Sequence, residues 1–125
     1  MKKIINTSEA PSPVGPYNQS VLAMGTLYMS GQIAIDPSTG NLIIDNIEDE
    51  THQVFKNIKA VLTEAEMTLE NVVKCSVFVS DMEMYSRINA VYAQYFDEEN
   101  APARELVEVA NLPKYVNVEI SCIAV

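Results

Sequence analysis

Val116-Asn117-Val118-Glu119-Ile120-Ser121-Cys122-Ile123-Ala124-Val125 reads as a strand, and both of its faces carry apolar residues. Val118, Ile120, Cys122 and Ala124 share one face; Glu119, Ser121, Ile123 and Val125 share the other. A solvated face rarely carries Ile and Val, so the second face is expected to be covered. Helices can cover one face of such a sheet, and a neighbouring subunit is the simplest cover for the other. That places Glu119 near a subunit interface and partly buried, where a carboxylate needs a compensating reason to exist.

Working outward, Val72-Val73-Lys74-Cys75-Ser76-Val77-Phe78-Val79 is a strand by its β-branched content. Ser80 and Glu83 have the spacing of a capping box at the start of a helix. Met82, Tyr85, Ile88, Val91, Tyr92, Tyr95 and Phe96 form the buried stripe of that helix, with Asn89 beside it. Asn89 is either a helix-surface amide or a donor lining a pocket. Leu106-Val107-Glu108-Val109 is a further strand, separated from the last one by Asn111-Leu112-Pro113-Lys114.

An earlier helix is predicted near Ile47 to Glu66, with Glu48, Asp49 and Glu50 at its positive end. Its stripe is Val54, Phe55, Ile58, Val61, Leu62 and Ala65; His52 falls off that stripe and reads as an exposed or rim residue. The first part of the chain is mostly short extended pieces. Val21–Met24 and Leu27–Ser30 flank a tight turn at Gly25-Thr26, Asp36–Asn41 is a second turn, and Leu42-Ile43-Ile44 is a candidate short strand. Strands with two helices in one unit of 125 residues give an α+β domain.

The composition excludes several classes of function. Eight basic against seventeen acidic residues give a net charge of −9, which opposes nucleic acid and anionic membrane as general partners. A single histidine, His52, removes metal sites built on histidine pairs, and the four glycines form no phosphate-binding fingerprint. Cys75 and Cys122 lie in apolar runs and read as reduced packing residues. With no signal-peptide pattern and no long apolar run, a cytoplasmic protein is expected.

Few residues remain that can do chemistry. Arg104 follows Pro102-Ala103 and offers a planar fork for a small carboxylate or phosphate; its plainer role is an ion pair with Glu99 or Glu105. Burial can raise the pKa of Glu119 until it donates protons near neutrality, or the residue can simply pair with a buried cation. Tyr17, after Gly15-Pro16, sits on a rigid turn and either points into a cleft or only packs.

The chain resembles the RidA family, also called YjgF or L-PSP endoribonuclease. The resemblance runs through Gly15-Pro16-Tyr17 with Gln19, Ser30-Gly31-Gln32-Ile33, Thr39-Gly40, Asn57–Val61, Asn89 with Tyr92, Pro102-Ala103-Arg104, Leu112-Pro113-Lys114 and Val118-Glu119-Ile120. Each piece is short, and their order and spacing together are specific. The resemblance implies a chorismate-mutase-like α+β fold, a mixed β-sheet packed on two helices, in a homotrimer with a central β-barrel and pockets at the subunit clefts. It implies hydrolysis of enamine and imine intermediates, such as 2-aminoacrylate and 2-iminopropanoate, to 2-keto acids and ammonia, with no cofactor and no metal. By the same resemblance Arg104 binds the substrate carboxylate and Glu119 activates water and moves protons. Tyr17, Ser30, Gly31 and Asn89 match the other substrate-binding positions.

The chain departs from the family pattern in three places. Leu106 stands where many members have a cysteine, Glu105 where a small residue is common, and the segment before Pro102 is short. The leading expectation is a deaminase acting on small imino acids. The alternatives are a non-catalytic trimeric binder or sensor of 2-keto acids and small carboxylates and, less favoured, an endoribonuclease, which the negative charge opposes.

Overall fold

Burial alternates along the strands with period two, and that alternation fixes which sheet face meets the helices. The computed structural model, which describes residues 1–125, has strands β1 (Lys2–Ile5), β2 (Ser20–Ala23), β3 (Thr26–Gln32), β4 (Val72–Val79), β5 (Ala103–Glu108) and β6 (Val118–Ala124). They form one sheet in the order β1-β2-β3-β6-β4-β5. Every neighbouring pair is antiparallel except β4 and β5, so the sheet is mixed. Helices α1 (Ile47–Glu64) and α2 (Tyr85–Tyr92) pack on one face. The expected α+β fold, a mixed sheet on two helices, is the one observed. Neither helix is long and apolar enough to cross a membrane.

The core is built from the residues the alternation selects. Val118, Ile120, Cys122 and Ala124 of β6 and Cys75, Val77 and Val79 of β4 meet Val54, Phe55, Ile58, Val61 and Leu62 of α1. Phe55 stacks on Tyr95 with ring centroids 4.2 Å apart and meets Tyr92 edge-on at 5.7 Å. Cys75 and Cys122 stand opposite each other in the β4–β6 register as free thiols, their sulfurs 3.7 Å apart. That is a packing contact, well beyond a disulfide bond of about 2.05 Å.

Local chemistry sets the ends of the elements. Met24 (φ 51°) and Gly25 (φ 80°) make the β2–β3 turn, one residue earlier than the sequence pattern places it. Asn46 caps α1, its side chain accepting from Asp49 N at 2.8 Å. The cap near α2 is Asp81 rather than Ser80. The Asp81 carboxylate accepts from Glu83 N at 2.9 Å and opens a 3₁₀ turn, while the Ser80 hydroxyl donates to Asn117 Oδ1. Leu42 makes only an isolated bridge to Ile35, so no strand forms over residues 42–44. His52 is half-buried, as a rim residue would be, and its Nδ1 lies 2.6 Å from Tyr95 Oη.

The face away from the helices carries exposed apolar residues among polar ones such as Ser76, Glu105 and Ser121. Ile4 (41% exposed) neighbours Val21, which neighbours Tyr28 (51%), and Tyr28 faces Ile123. Phe78 lies between Val107 (44%) and Glu119 in the same layer. The β3–β6 ladder breaks on this sheet. Met29 pairs with Cys122 and Gln32 with Ile120, so Ser30 and Gly31 together oppose Ser121. This β-bulge puts one extra residue into β3 and re-aims what surrounds it.

Candidate functional site

Glu119 projects from β6 toward the bulge. A Cβ at residue 31 would lie 2.7 Å from Glu119 Cδ and 2.9 Å from its Cγ, so the carboxylate occupies room that only a glycine leaves. No N–H or O–H of the chain donates to this carboxylate, and its half-burial holds the pKa above the ordinary carboxylate range. Ser30 is fixed beside it: its N–H donates to Gln19 O at 2.8 Å and its hydroxyl to Asn18 O at 2.6 Å. Tyr17 closes a tight turn by donating its N–H to Gly15 O at 2.8 Å, and the residue is 49% exposed. These residues border a cleft of about 460 Å³, which Gln32, Lys114 and the apolar Val14, Ile33 and Ile35 also line.

Two buried amides hold the cleft walls. Gln19 Nε2 donates to Thr7 O, Ala10 O and Pro11 O, and its Oε1 accepts from Thr7 N at 2.7 Å. Asn57 Nδ2, on α1, donates to Ile33 O and Ile35 O at 3.0 Å each. Such satisfied networks rigidify what they bind. Gln19 and Asn57 are legible in the sequence only as positions of the resemblance, since nothing in their neighbours encodes the backbone groups they bind.

Arg104 lies elsewhere. It leaves β5 on the helix face, in register with Cys75 and, across β4, with Cys122. Its Nη1 donates to Asn89 Oδ1 at 2.8 Å and its Nη2 to Tyr85 Oη at 3.1 Å. The guanidinium carbon stands 4.7 Å from the Tyr92 ring centroid and 5.8 Å from that of Tyr85. The expected ion pair with Glu99 or Glu105 is absent. Neighbouring strand residues point to opposite faces, and Glu105 instead pairs with Lys74 at 2.8 Å. Arg87, the other arginine, is bound to Glu48 at 2.7 Å. Arg104 is therefore held by neutral oxygens and aromatic faces, with its charge unmatched. Tyr85 was legible only as a member of a helical stripe, and Tyr92 as a stripe member and a position of the resemblance.

The proposed positions thus gather as two half-sites. Tyr17, Ser30, Gly31 and Glu119 meet at the cleft; Arg104 and Asn89 meet on the helix side of the sheet. Within one chain the sheet stands between them. No group of three or more His, Cys, Asp or Glu side chains is placed to hold a metal ion.

Comparison with known proteins bears on the family and the fold. The family model described as Endoribonuclease L-PSP matches residues 7–125. A RutC family protein of Synechocystis is 55% identical over 98% of this chain and 95% of its own. The human protein named 2-iminobutanoate/2-iminopropanoate deaminase is 40% identical over 100% of this chain and 90% of its own. A solved structure of a conserved Rid family protein from Yersinia pestis superposes with a TM-score of 0.96 at 47% identity, covering 99% of this chain and 98% of that one. Fold and sequence likeness along almost the whole chain converge, and the chain belongs to the L-PSP endoribonuclease family, the RidA/YjgF proteins.

Proposed function

We propose that the protein is a cytoplasmic deaminase that hydrolyses enamine and imine intermediates, such as 2-iminobutanoate and 2-iminopropanoate, to 2-keto acids and ammonia. The observation that carries this reading is Arg104, whose guanidinium is oriented by Asn89 and Tyr85 but neutralised by no carboxylate of the chain. A small substrate carboxylate supplies the missing charge and matches the planar fork. The human relative's name supports the same chemistry.

The reaction asks little of the protein. The carbon of a protonated imine is already electrophilic, so water can add without a protein nucleophile or a metal. Glu119, as carboxylate, takes a proton from that water as the C–O bond forms. It returns that proton to the nitrogen, then takes the hydroxyl proton as the C=O bond forms and the C–N bond breaks. Ammonia accepts this proton and leaves as ammonium, freeing a 2-keto acid and the carboxylate. Burial raises the Glu119 pKa, which makes the carboxylate a stronger proton acceptor than an exposed one. Ser30, the Gly31 backbone and Tyr17 line the space in which water and imine meet, and Asn89 joins Arg104 at the carboxylate.

Because Arg104 and Glu119 belong to opposite faces of the sheet, a complete site needs a second copy. We assign the assembly as a homotrimer whose uncovered faces, with Ile4, Tyr28, Phe78, Val107 and Ile123, close a central barrel. Each Glu119 cleft then receives Arg104 from a neighbour. RNA cleavage is disfavoured: the net charge is −9, and His52 is occupied by Tyr95, outside the cleft.

The test is keto-acid release from imines formed in situ by a serine or threonine dehydratase. Wild type should accelerate release above the uncatalysed rate, and Arg104→Ala, still folded and oligomeric, should lose about 100-fold or more. No acceleration with any imine would replace this reading with that of a keto-acid binder.

A further inference from the structure

We propose that Tyr85 is a substrate-binding residue whose hydroxyl donates to the same carboxylate that Arg104 holds; this rests on the reading of Arg104 as the carboxylate anchor. The contact between Arg104 Nη2 and Tyr85 Oη spans 3.1 Å. A guanidinium carries only donors, so the phenol oxygen is the acceptor there and its own proton points elsewhere. No acceptor of the chain takes that proton, and Tyr85 is 36% exposed, so the hydroxyl is open to a ligand. Asn89, four residues further along α2 and so on the same helix face, is arranged in the same way: its Oδ1 accepts from Arg104 Nη1, and its Nδ2 donates to nothing in the chain.

The three side chains thus turn their acceptors toward one another and their remaining donors outward. Arg104 keeps an N–H on each terminal nitrogen and on Nε, Asn89 keeps its amide N–H groups, and Tyr85 keeps its O–H. Such a donor-only cluster fits an ionised carboxylate, which accepts at both oxygens, and rejects a neutral amide, whose NH₂ would meet donors. The Tyr92 ring backs the guanidinium and stops it turning away. Tyr85 therefore adds selection for charge to the anchor.

Tyr85→Phe removes the oxygen and keeps the ring beside Arg104. Titration with 2-oxobutanoate should show Kd rising about 10-fold, as expected for losing a hydrogen bond to a charged group. KM for 2-iminobutanoate should rise by a similar factor while kcat changes less than twofold, a split that a general loss of structure would not give. Binding of the neutral 2-oxobutanamide should be no weaker than in wild type. Arg104→Ala is measured in parallel. If Arg104→Ala loses 2-oxobutanoate and Tyr85→Phe binds it as wild type does, the role of Tyr85 is overturned and the anchor stands. If Arg104→Ala also binds as wild type does, the anchor itself falls and the role of Tyr85 with it.

Discussion

Glu50 and Glu119 meet β6 at adjacent residues and live in opposite conditions. Glu50, on the first turn of α1, is fully buried, and its carboxylate accepts from Asn117 N at 2.7 Å, Asn117 Nδ2 at 2.8 Å and Val118 N at 3.2 Å. One residue along, Glu119 leaves the other face, half-buried, with no donor of the chain directed at it. A buried carboxylate that is saturated with hydrogen bonds fastens a strand to a helix. One that is half-buried and unsatisfied keeps its lone pairs for a water or a substrate.

Substitution at each position separates the two roles. Glu119→Gln should lower kcat/KM for 2-iminobutanoate by about 10²–10⁴-fold, the range for losing a general acid–base group. Its melting temperature at pH 7 should be unchanged or higher, because the penalised charge is gone. Near-normal turnover in this variant would break the comparison. Glu50→Ala should cost about 3 kcal/mol in denaturant unfolding, since it strands the N–H groups of Asn117 and Val118 in the interior. A cost below about 1 kcal/mol would show that water replaces the carboxylate and that Glu50 fastens little.

The smallest effect is the pH dependence of stability. Glu119 has its pKa raised in the folded state, so its favourable contribution is complete below the unfolded value of about 4.3 and is lost as pH rises through the folded one. The stability difference between Glu119→Gln and wild type should therefore shrink when thermal unfolding is moved from pH 7 to pH 4. A difference that grows on acidification would mean that burial does not penalise this carboxylate.

How legible these features were depends on whether they are periodic. The two-faced pattern of Val118–Val125, the α1 stripe and the β-branched run at 72–79 each announce an element, and each is there. β1 escapes because Lys2-Lys3-Ile4-Ile5 has no alternation to detect; pairing with β2, rather than its own pattern, makes it a strand. The cap is Asp81 because a neighbouring side chain competed for the same role, a matter of one residue that spacing does not resolve. At the site, Arg104 and Glu119 were nameable from their residue types and the resemblance, yet their separation onto opposite faces emerges only from register. Glu50 looked like one of three acids at a helix start, since nothing in its neighbours encodes a bond to residues 117 and 118. Tyr85 looked like core for the same reason: a stripe shows which residues share a side, not what they touch.

The bulge at Ser30-Gly31 bears on how such a protein can change over generations. Met29 and Gln32 both face the helices, so a strand shorter by one residue at this place would still present the same side chains to the interior and could pair with β6 without interruption. What would vanish is the recess into which the Glu119 carboxylate extends. The scaffold and the recess are thus separable by a single codon, and a lineage can acquire or discard the second while inheriting the first intact.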